Sequence, residues 1–182
     1  NKIDIVFHAA AYKHVNMCEI NYVNCIYNNL LGTIKTIDLA IKYKCEKFIL
    51  ISTDKAVDPE SIMGISKRLC EIYALSISNT SFNTSVIITR FGNVLGSNGS
   101  VLKIFEKRFL LNLPLQVTNK KMTRYFMSIF EACQLVIYSG QKGSNSDICI
   151  FEMGAPQNIF KLAENFIISK GLIPHDQYKI DI

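Results

Sequence analysis

Short apolar runs alternate with helix-periodic segments through the first half of this chain. Ile3 to Phe7 and Lys47 to Ser52 are rich in Ile, Val, Leu and Phe, which is typical of strands buried on both faces. Apolar residues recur at helical spacing from Glu19 to about Tyr43 and again from Pro59 to Ser78. A third apolar run follows at residues 86–88. This order predicts an α/β fold with a right-handed, doubly wound parallel sheet.

Glycines mark two places where the backbone is expected to come close to another group. Gly32 interrupts the first helical pattern, as a glycine does where something packs closely against a helix. Residues 91–100 form a loop rich in glycine and asparagine. Its glycines permit positive φ angles and close backbone approach to a ligand.

The sequence beyond this loop predicts a smaller second part. It carries predicted helices and short strands at residues 101–111, 115–118, 125–127, 129–138, 148–151 and 158–169. We therefore divide the chain into residues 1–90, which build the sheet, and residues 91–182, which are mostly a cap. Because the chain opens directly inside a predicted strand, we expect it to be a fragment of a longer protein.

The composition excludes several classes of function. The chain of 182 residues is 49% apolar and 19% charged, which suits one packed core and not a disordered chain. Its net charge of +5 is scattered, so we expect no nucleic-acid partner. Six cysteines without C-x-x-C spacing predict reduced thiols and no metal site. No apolar run reaches ~18 residues, so we expect a cytoplasmic protein without a membrane segment.

Small or polar residues follow three of the predicted strands. They are His8 to Ala11, Ser52 to Lys55 and Arg90 to Asn93. Ligands of open parallel sheets bind beyond the carboxyl ends of the strands, so these segments predict a shared binding crevice. The alternative is that they are ordinary turn residues, since such residues are common where strands end.

Two pairs of side chains in this region have the chemistry of a catalytic site. Asp54 and Lys55 place an acid beside a potential base. Met63 and Lys67 are four residues apart and share a helix face, where Lys67 either bonds ribose hydroxyls or is simply solvated. The start of the chain lacks a G-x-G-x-x-G motif, which belongs on the first strand–helix turn of a dinucleotide-binding fold. Its absence fits either a chain without its first strands or a protein that binds no dinucleotide.

Six motifs follow one another in order: His8 to Val15, Asn28 to Thr33, Ser52 to Val57, Met63 to Arg68, Arg90 to Ser97 and Met122 to Met127. Together they resemble the CapD-like polysaccharide-biosynthesis family of extended short-chain dehydrogenases/reductases, which includes UDP-N-acetylglucosamine 4,6-dehydratases. The resemblance implies that residues 1–90 are the C-terminal part of a Rossmann-like NAD(P)-binding domain. Residues 91–182 would be mostly a substrate-binding cap, and the chain would be truncated at both ends.

The resemblance also assigns roles by position. It implies NADP or NAD as cofactor, bound by Ala9, Ala10, Ala11, Lys13, Asn29, Ser52 and Lys67. It implies a UDP-sugar substrate, bound by His14, Asn93, Ser100, Val101 and Arg124. The implied catalytic residues are Thr53, Asp54, Lys55, Met63 and Lys67. Members of the family often assemble, which would make a homo-oligomer, and a full-length parent with membrane segments would lie at the inner face of the membrane.

The reaction implied by the resemblance is a 4,6-dehydration, in which hydride passes from C4 of the sugar to the cofactor and returns at C6. A neutral Lys55 would remove the C5 proton, and a protonated Asp54 would help the 6-hydroxyl leave as water. Met63 stands where a tyrosine is expected, and its thioether has no proton to give. A branch of the family has this methionine. We therefore expect Lys67, Asp54 or a water to carry the C4 proton, while Met63 packs against the sugar or the nicotinamide.

Two other functions stay open at this point. A UDP-sugar 4-epimerase would use the same fold but would not need an acid–base pair for C5 and C6. An inactive fragment of a split gene would fit the missing glycine-rich first unit.

Overall fold

The chain divides into two units. The first contains Asn1–Phe91 and Cys133–Phe151, and the second contains Gly92–Ala132 and Glu152–Ile182. The computed structural model describes residues 2–80, 83–97 and 99–182, so that Asn98 of the glycine-rich loop lies outside the described residues. Residues 133–151 therefore cluster with the sheet and not with the rest of the second half. The dinucleotide and substrate roles of the two parts stay predictions.

The first unit is built on a four-stranded parallel sheet, which confirms the predicted fold class. Numbered in chain order, its strands are β1 (Ile5–His8), β2 (Lys47–Ile51), β3 (Ser85–Arg90) and β8 (Ile148–Ile150), and this is also their order in the sheet. The central strands β2 and β3 are buried on both faces, as their apolar runs predict. β1 lies at an edge and is largely exposed, so the prediction of a buried strand is wrong there.

The predicted first helix is a series of shorter segments. They are α1 (Val15–Ile20), α2 (Tyr22–Ile26), a π-helical turn (Tyr27–Leu31) and α3 (Gly32–Lys42). The predicted close packing at Gly32 is wrong, because a Cβ placed there would meet no atom within 4 Å. The irregularity is the π-helical turn that ends one residue earlier, a feature that is often found at functional sites.

The helix α4 (Ile62–Ser78) begins three residues after Pro59, which was the predicted start. Ser61 is its N-cap, and the Ser61 hydroxyl accepts a hydrogen bond from the Gly64 amide at 3.1 Å. The carboxylate of Glu19 accepts from the Ile62 amide at 2.8 Å. These two acceptors satisfy amides that the first turn of a helix leaves unpaired, and they fix where α4 begins.

Helices α3 and α4 cover one face of the sheet. Gly140 of α6 (Ile129–Lys142) meets Ile49 of the sheet, and Gly143, directly after α6, meets Ile87. α6 extends past its predicted end at Tyr138. Lys47 Nζ donates to the carbonyls of Gly140 and Gln141 at 2.6 and 3.3 Å, a contact that sequence periodicity does not reveal. The negative end of the helix dipole, at the C-terminus of α6, also stabilises a cation at this position.

The second unit has its own core, formed by two helices and the strands beside them. The helices are α5 (Val101–Leu110) and α7 (Ile159–Ser169), and Phe105, Leu115 and Ile167 are fully buried between them and their neighbours. Its short strands are β4 (Asn93–Val94), β5 (Leu115–Gln116), β6 (Thr123–Arg124), β7 (Phe126–Met127), β9 (Gln157–Asn158) and β10 (Ile180–Asp181).

All six cysteines are free thiols, four of them buried. Over the part of the chain that the structure describes, no helix has both the length and the apolar character needed to cross a bilayer.

Candidate functional site

A tight turn follows β2 and carries the predicted acid and base. Thr53 is extended, and residues Asp54–Ala56 form a single 3-10 turn. Lys55 Nζ lies 2.9 Å from Asp54 Oδ1, and both side chains are 29% exposed. The Thr53 hydroxyl donates to the same carboxylate oxygen at 2.8 Å. The structure therefore brings three predicted catalytic side chains into one hydrogen-bonded group.

The backbone of this turn is held by the neighbouring strand. The Ser52 amide donates to the Thr89 carbonyl at 2.7 Å, and the Asp54 amide donates to the Phe91 carbonyl at 3.1 Å. The ladder between β2 and β3 therefore continues past the end of β2. The position of Asp54 is set by backbone hydrogen bonds rather than by a free loop.

Gly64 brings α4 against this turn. A Cβ built on Gly64 would lie 2.3 Å from the Lys55 carbonyl oxygen and 3.2 Å from Pro59 Cβ. Side chains do not tolerate such a distance to backbone atoms, so only glycine lets the helix approach the turn this closely. Gly64 lies inside the motif Met63 to Arg68, and the motif alone does not indicate this close contact.

Lys67 and Met63 lie on the buried face of α4, with exposed fractions of 6% and 5%. Burial lowers the pKa of Lys67, although the nearby Cys70 and Glu71 act in the opposite direction. Burial also lowers the pKa of His8, and the charge of Lys67 adds to that effect. Among the described residues, Lys67 Nζ makes no hydrogen bond and no ion pair. It is a buried donor that is available to a ligand.

Met63 packs into a cluster with the thiols of Cys18 and Cys25. Burial, followed by the hydrogen bond with Cys25, raises the pKa of Cys18 to about 12. The side chains packed against the methionine are therefore mostly apolar, with Val15 and Ile62 beside the two thiols. Packing of Met63 against the sugar or the nicotinamide stays a prediction.

Asn29 links the loop after β1 to α4. Its side-chain oxygen accepts from the Tyr12 amide at 2.7 Å, and its side-chain nitrogen donates to the Tyr12 carbonyl at 3.0 Å. The same nitrogen donates to the Ser66 hydroxyl at 2.9 Å. Asn29 therefore fixes the loop that contains the predicted cofactor residues Ala9, Ala10, Ala11 and Lys13 and the predicted substrate residue His14.

Glu71 is a residue that sequence analysis missed. Its buried carboxylate accepts from Ser52 Oγ at 2.6 Å, from Arg90 Nε and Nη2 at 2.8 and 2.5 Å, and from Arg68 Nη1 at 3.1 Å. Burial alone would raise the pKa of Glu71, but hydrogen bonds from Arg90, Ser52 and Arg68 lower it below its ordinary value. The sequence does carry one indication of its role, since Glu71 is an acidic residue four positions after Lys67 and so lies on the same face of the helix.

The predicted substrate residues of the second unit fall on two of its elements. β4 pairs with β7 so that Asn93 lies opposite Phe126, two residues from Arg124. Ser100 is the N-cap of α5, directly before Val101, and its buried hydroxyl has no hydrogen-bond partner among the described residues. A buried hydroxyl without a partner is costly unless a ligand or water completes it.

The family described as polysaccharide biosynthesis protein matches residues 1–182. This chain belongs to the polysaccharide biosynthesis protein family. It is 43% identical over 166 residues to the capsular polysaccharide biosynthesis protein CapD of Staphylococcus aureus, which covers 91% of this chain and 28% of CapD. It is 40% identical over 150 residues to a UDP-glucose 4-epimerase of Rickettsia canadensis, which covers 81% of this chain and 44% of the epimerase.

Among solved structures, the chain resembles Pen from Bacillus thuringiensis at a TM-score of 0.92 and 31% identity. That match covers 98% of this chain and 56% of Pen. This similarity confirms the Rossmann-like fold that the sequence predicts for the chain. The chain spans less than a third of CapD and less than half of the epimerase, so activity and substrate are matters for proposal.

Two glycines provide a matched test of the contact between α4 and the turn. We expect Gly64→Ala to lower the free energy of unfolding by about 1–3 kcal/mol, because the added methyl group overlaps the Lys55 carbonyl. Gly32→Ala, where a Cβ meets no atom within 4 Å, should raise it by about 0.5–1 kcal/mol through helix propensity alone. Urea unfolding followed by circular dichroism measures both. Equal effects of the two substitutions would show that the contact at Gly64 is not tight.

A second prediction concerns the buried lysine. Burial makes the pKa of Lys67 lower in the folded protein than in the unfolded chain. At pH values below the ordinary lysine pKa of 10.5, the charged form of Lys67 therefore destabilises the folded state. Lys67→Met should therefore raise the Tm at pH 7 by ~2–4 °C, and the gain should shrink as the pH approaches the ordinary lysine value. Thermal unfolding across pH measures it, with exposed Lys35→Met as control. A fall in Tm would show that the Lys67 ammonium group stabilises the fold.

Proposed function

We propose that this chain carries the acid–base residues of a nucleotide-sugar 4,6-dehydratase of the UDP-N-acetylglucosamine type, which acts with bound NADP or NAD. The observation that carries the proposal is the Asp54–Lys55 pair, whose side chains meet at 2.9 Å beyond the carboxyl end of β2. Ligands of open parallel sheets bind at that end. Removal of water from C5 and C6 requires such an acid and base side by side.

The pair can reach both required forms by one internal step. In the ion pair, Lys55 is an ammonium and Asp54 a carboxylate. Transfer of one proton along their hydrogen bond gives a neutral amine and a carboxylic acid, with no change in net charge. Lys55 then takes the C5 proton, and Asp54 gives its proton to the departing 6-hydroxyl. The hydroxyl of Thr53 donates to the same carboxylate oxygen, Asp54 Oδ1, that accepts from Lys55 Nζ, and so helps to hold the carboxyl group in place.

The residues of the first unit fit a dinucleotide. Lys67 is a buried donor that, within the described ranges, no hydrogen bond or ion pair occupies, which suits a ribose hydroxyl as acceptor. The surface loop of Ala9, Ala10 and Ala11 follows β1 and would lie along the dinucleotide, with Lys13 beside it. When bound, NADP or NAD would take hydride from C4 of the sugar and return it at C6. Ser52 would act mainly through Glu71, since its hydroxyl proton is donated there.

The residues of the second unit suit a UDP group. Arg124 presents a guanidinium, which pairs with phosphate in a fork geometry. Ser100 offers a buried hydroxyl without a partner among the described residues, and Asn93 lies on the strand β4 next to the segment of Arg124. These are the residues of the second unit that we propose for the nucleotide sugar, and the substrate role of His14 stays a prediction. We further propose that the protein works in the cytoplasm and as a homo-oligomer.

A UDP-sugar 4-epimerase is the second candidate, and the similarity to the Rickettsia canadensis epimerase favours it. The two candidates differ at C5 and C6 of the sugar. Epimerisation at C4 gives the Asp54–Lys55 pair no proton to move at C5, so the geometry of the pair supports the dehydratase.

The deciding experiment incubates the protein with UDP-N-acetylglucosamine and identifies the product by NMR. We expect a 4-keto-6-deoxy sugar, and Asp54→Asn and Lys55→Met should each lower kcat by about a hundredfold or more, as loss of a general acid or base does. Exposed Asp58→Asn and Lys35→Met serve as matched controls. A C4 epimer as product would replace the dehydratase by the epimerase. Absence of micromolar NADP or NAD binding would support an inactive fragment.

A further prediction concerns the methionine. Met63→Leu keeps the volume and the apolar character of the side chain and should change kcat by less than about tenfold. Lys67→Ala should lower kcat by about a hundredfold or more, because it removes the proposed ribose donor. A loss above a hundredfold in Met63→Leu would contradict a packing role for the thioether.

A further inference from the structure

The polar cluster around Glu71 is not used in the proposed reaction. Four nitrogen or oxygen donors point at its carboxylate, which is 0% exposed, and they come from three different elements. These bonds leave the Glu71 oxygens with no capacity for a substrate. Glu71 therefore has no direct contact with a ligand to make, and any role in the reaction must act through its partners.

Each partner of Glu71 adjoins a catalytic segment. Ser52 directly precedes Thr53, the first residue of the acid–base turn. Arg90 directly precedes Phe91, whose carbonyl accepts the Asp54 amide at 3.1 Å. Glu71 itself lies one turn after Lys67 on α4. The carboxylate thus connects the helix that carries Lys67 with the two strand ends that hold the turn.

We propose that Glu71 is a positioning residue that fixes the Asp54–Lys55 turn relative to Lys67. This inference rests on the proposed dehydratase function. Its physical basis is rigidity: the bidentate Arg90 contact fixes the direction of the carboxylate, and the carboxylate fixes the Ser52 hydroxyl. Supporting hydrogen bonds of this kind hold reacting groups within the narrow tolerance that proton transfer requires.

A purely structural explanation of the cluster is less satisfactory. Burying a carboxylate and a guanidinium costs desolvation energy, so such a pair is seldom more stabilising than apolar residues of the same volume. The close approach of Gly64 to Lys55 already holds the first turn of α4 against the acid–base turn. The Glu71 cluster adds a second attachment point two turns further along α4, and two points define an orientation that one does not.

The test compares the protein with its Glu71→Gln variant, which keeps the shape of the side chain but cannot accept the two parallel bonds from Arg90. We expect kcat on UDP-N-acetylglucosamine to fall by about ten- to a hundredfold while KM changes by less than about threefold. Hydrogen exchange measured by mass spectrometry should become faster at the amides of Ser52 and Asp54. A residue that only stabilises the fold would leave kcat of the folded protein unchanged.

Tyr73→Phe is the matched control. Tyr73 lies on the same helix and donates to a carboxylate oxygen of Asp38 at 2.5 Å, away from the acid–base turn. It should leave kcat unchanged. If Glu71→Gln does not fold, Arg90→Lys replaces it, because it keeps the charge but loses the bidentate contact. Unchanged kcat and unchanged amide exchange in the folded variant would overturn the positioning role.

The same measurements distinguish a failure of the positioning role from a failure of the proposed function. If the unmodified protein turns over no UDP-sugar, the dehydratase proposal is wrong, and amide exchange at Ser52 and Asp54 still decides whether Glu71 holds the turn. If the unmodified protein is active and the Glu71→Gln variant matches it, only the positioning role is wrong.

Discussion

The contact between Gly64 and the Lys55 carbonyl sets the arrangement of the first unit. It determines how near α4 comes to the end of β2, and the positions of Met63 and Lys67 follow from it because they lie on the same helix. A side chain at position 64 would push the helix outward and move the lysine with it. The hydrogen bonds of Glu71 further along α4 then fix the direction of the helix against the sheet.

This arrangement places charged groups where folding alone would not favour them. Lys67 is buried without an anionic contact in the part of the chain that is described, and its lowered pKa reflects that environment. Glu71 is buried but saturated with donors, so its charge is well compensated. The contrast is informative, since a compensated buried charge can act only through its partners, whereas an uncompensated one in a cleft is a candidate for direct contact with a ligand.

Much of the fold could be predicted from the sequence because the central strands are buried on both faces. The apolar runs of β2 and β3 and the helical periodicity of α4 follow directly from that burial. The ends of helices could not be predicted as well. α4 begins where Ser61 and Glu19 supply acceptors, and Glu19 is distant in sequence. Glu71 was missed for the same reason, since its partners Ser52, directly after β2, and Arg90 of β3 meet it only in the folded chain.

The number of protons that the proposed reaction moves limits the role of Met63, which stands where a tyrosine is expected. In the proposed dehydration, the Asp54–Lys55 pair holds one proton between them when Lys55 is to act as base and Asp54 as acid. A second proton from the C4 hydroxyl would leave Lys55 unable to accept the C5 proton, so the C4 proton must go elsewhere. The Cys18 thiol beside Met63 does not take it, because its pKa is raised to about 12 and the thiol stays protonated. Lys67 differs, since burial lowers its pKa and makes its neutral amine easier to reach than that of an exposed lysine. Within the proposed dehydration we therefore expect the C4 proton to leave towards Lys67 or solvent, and Met63 to pack beside that path.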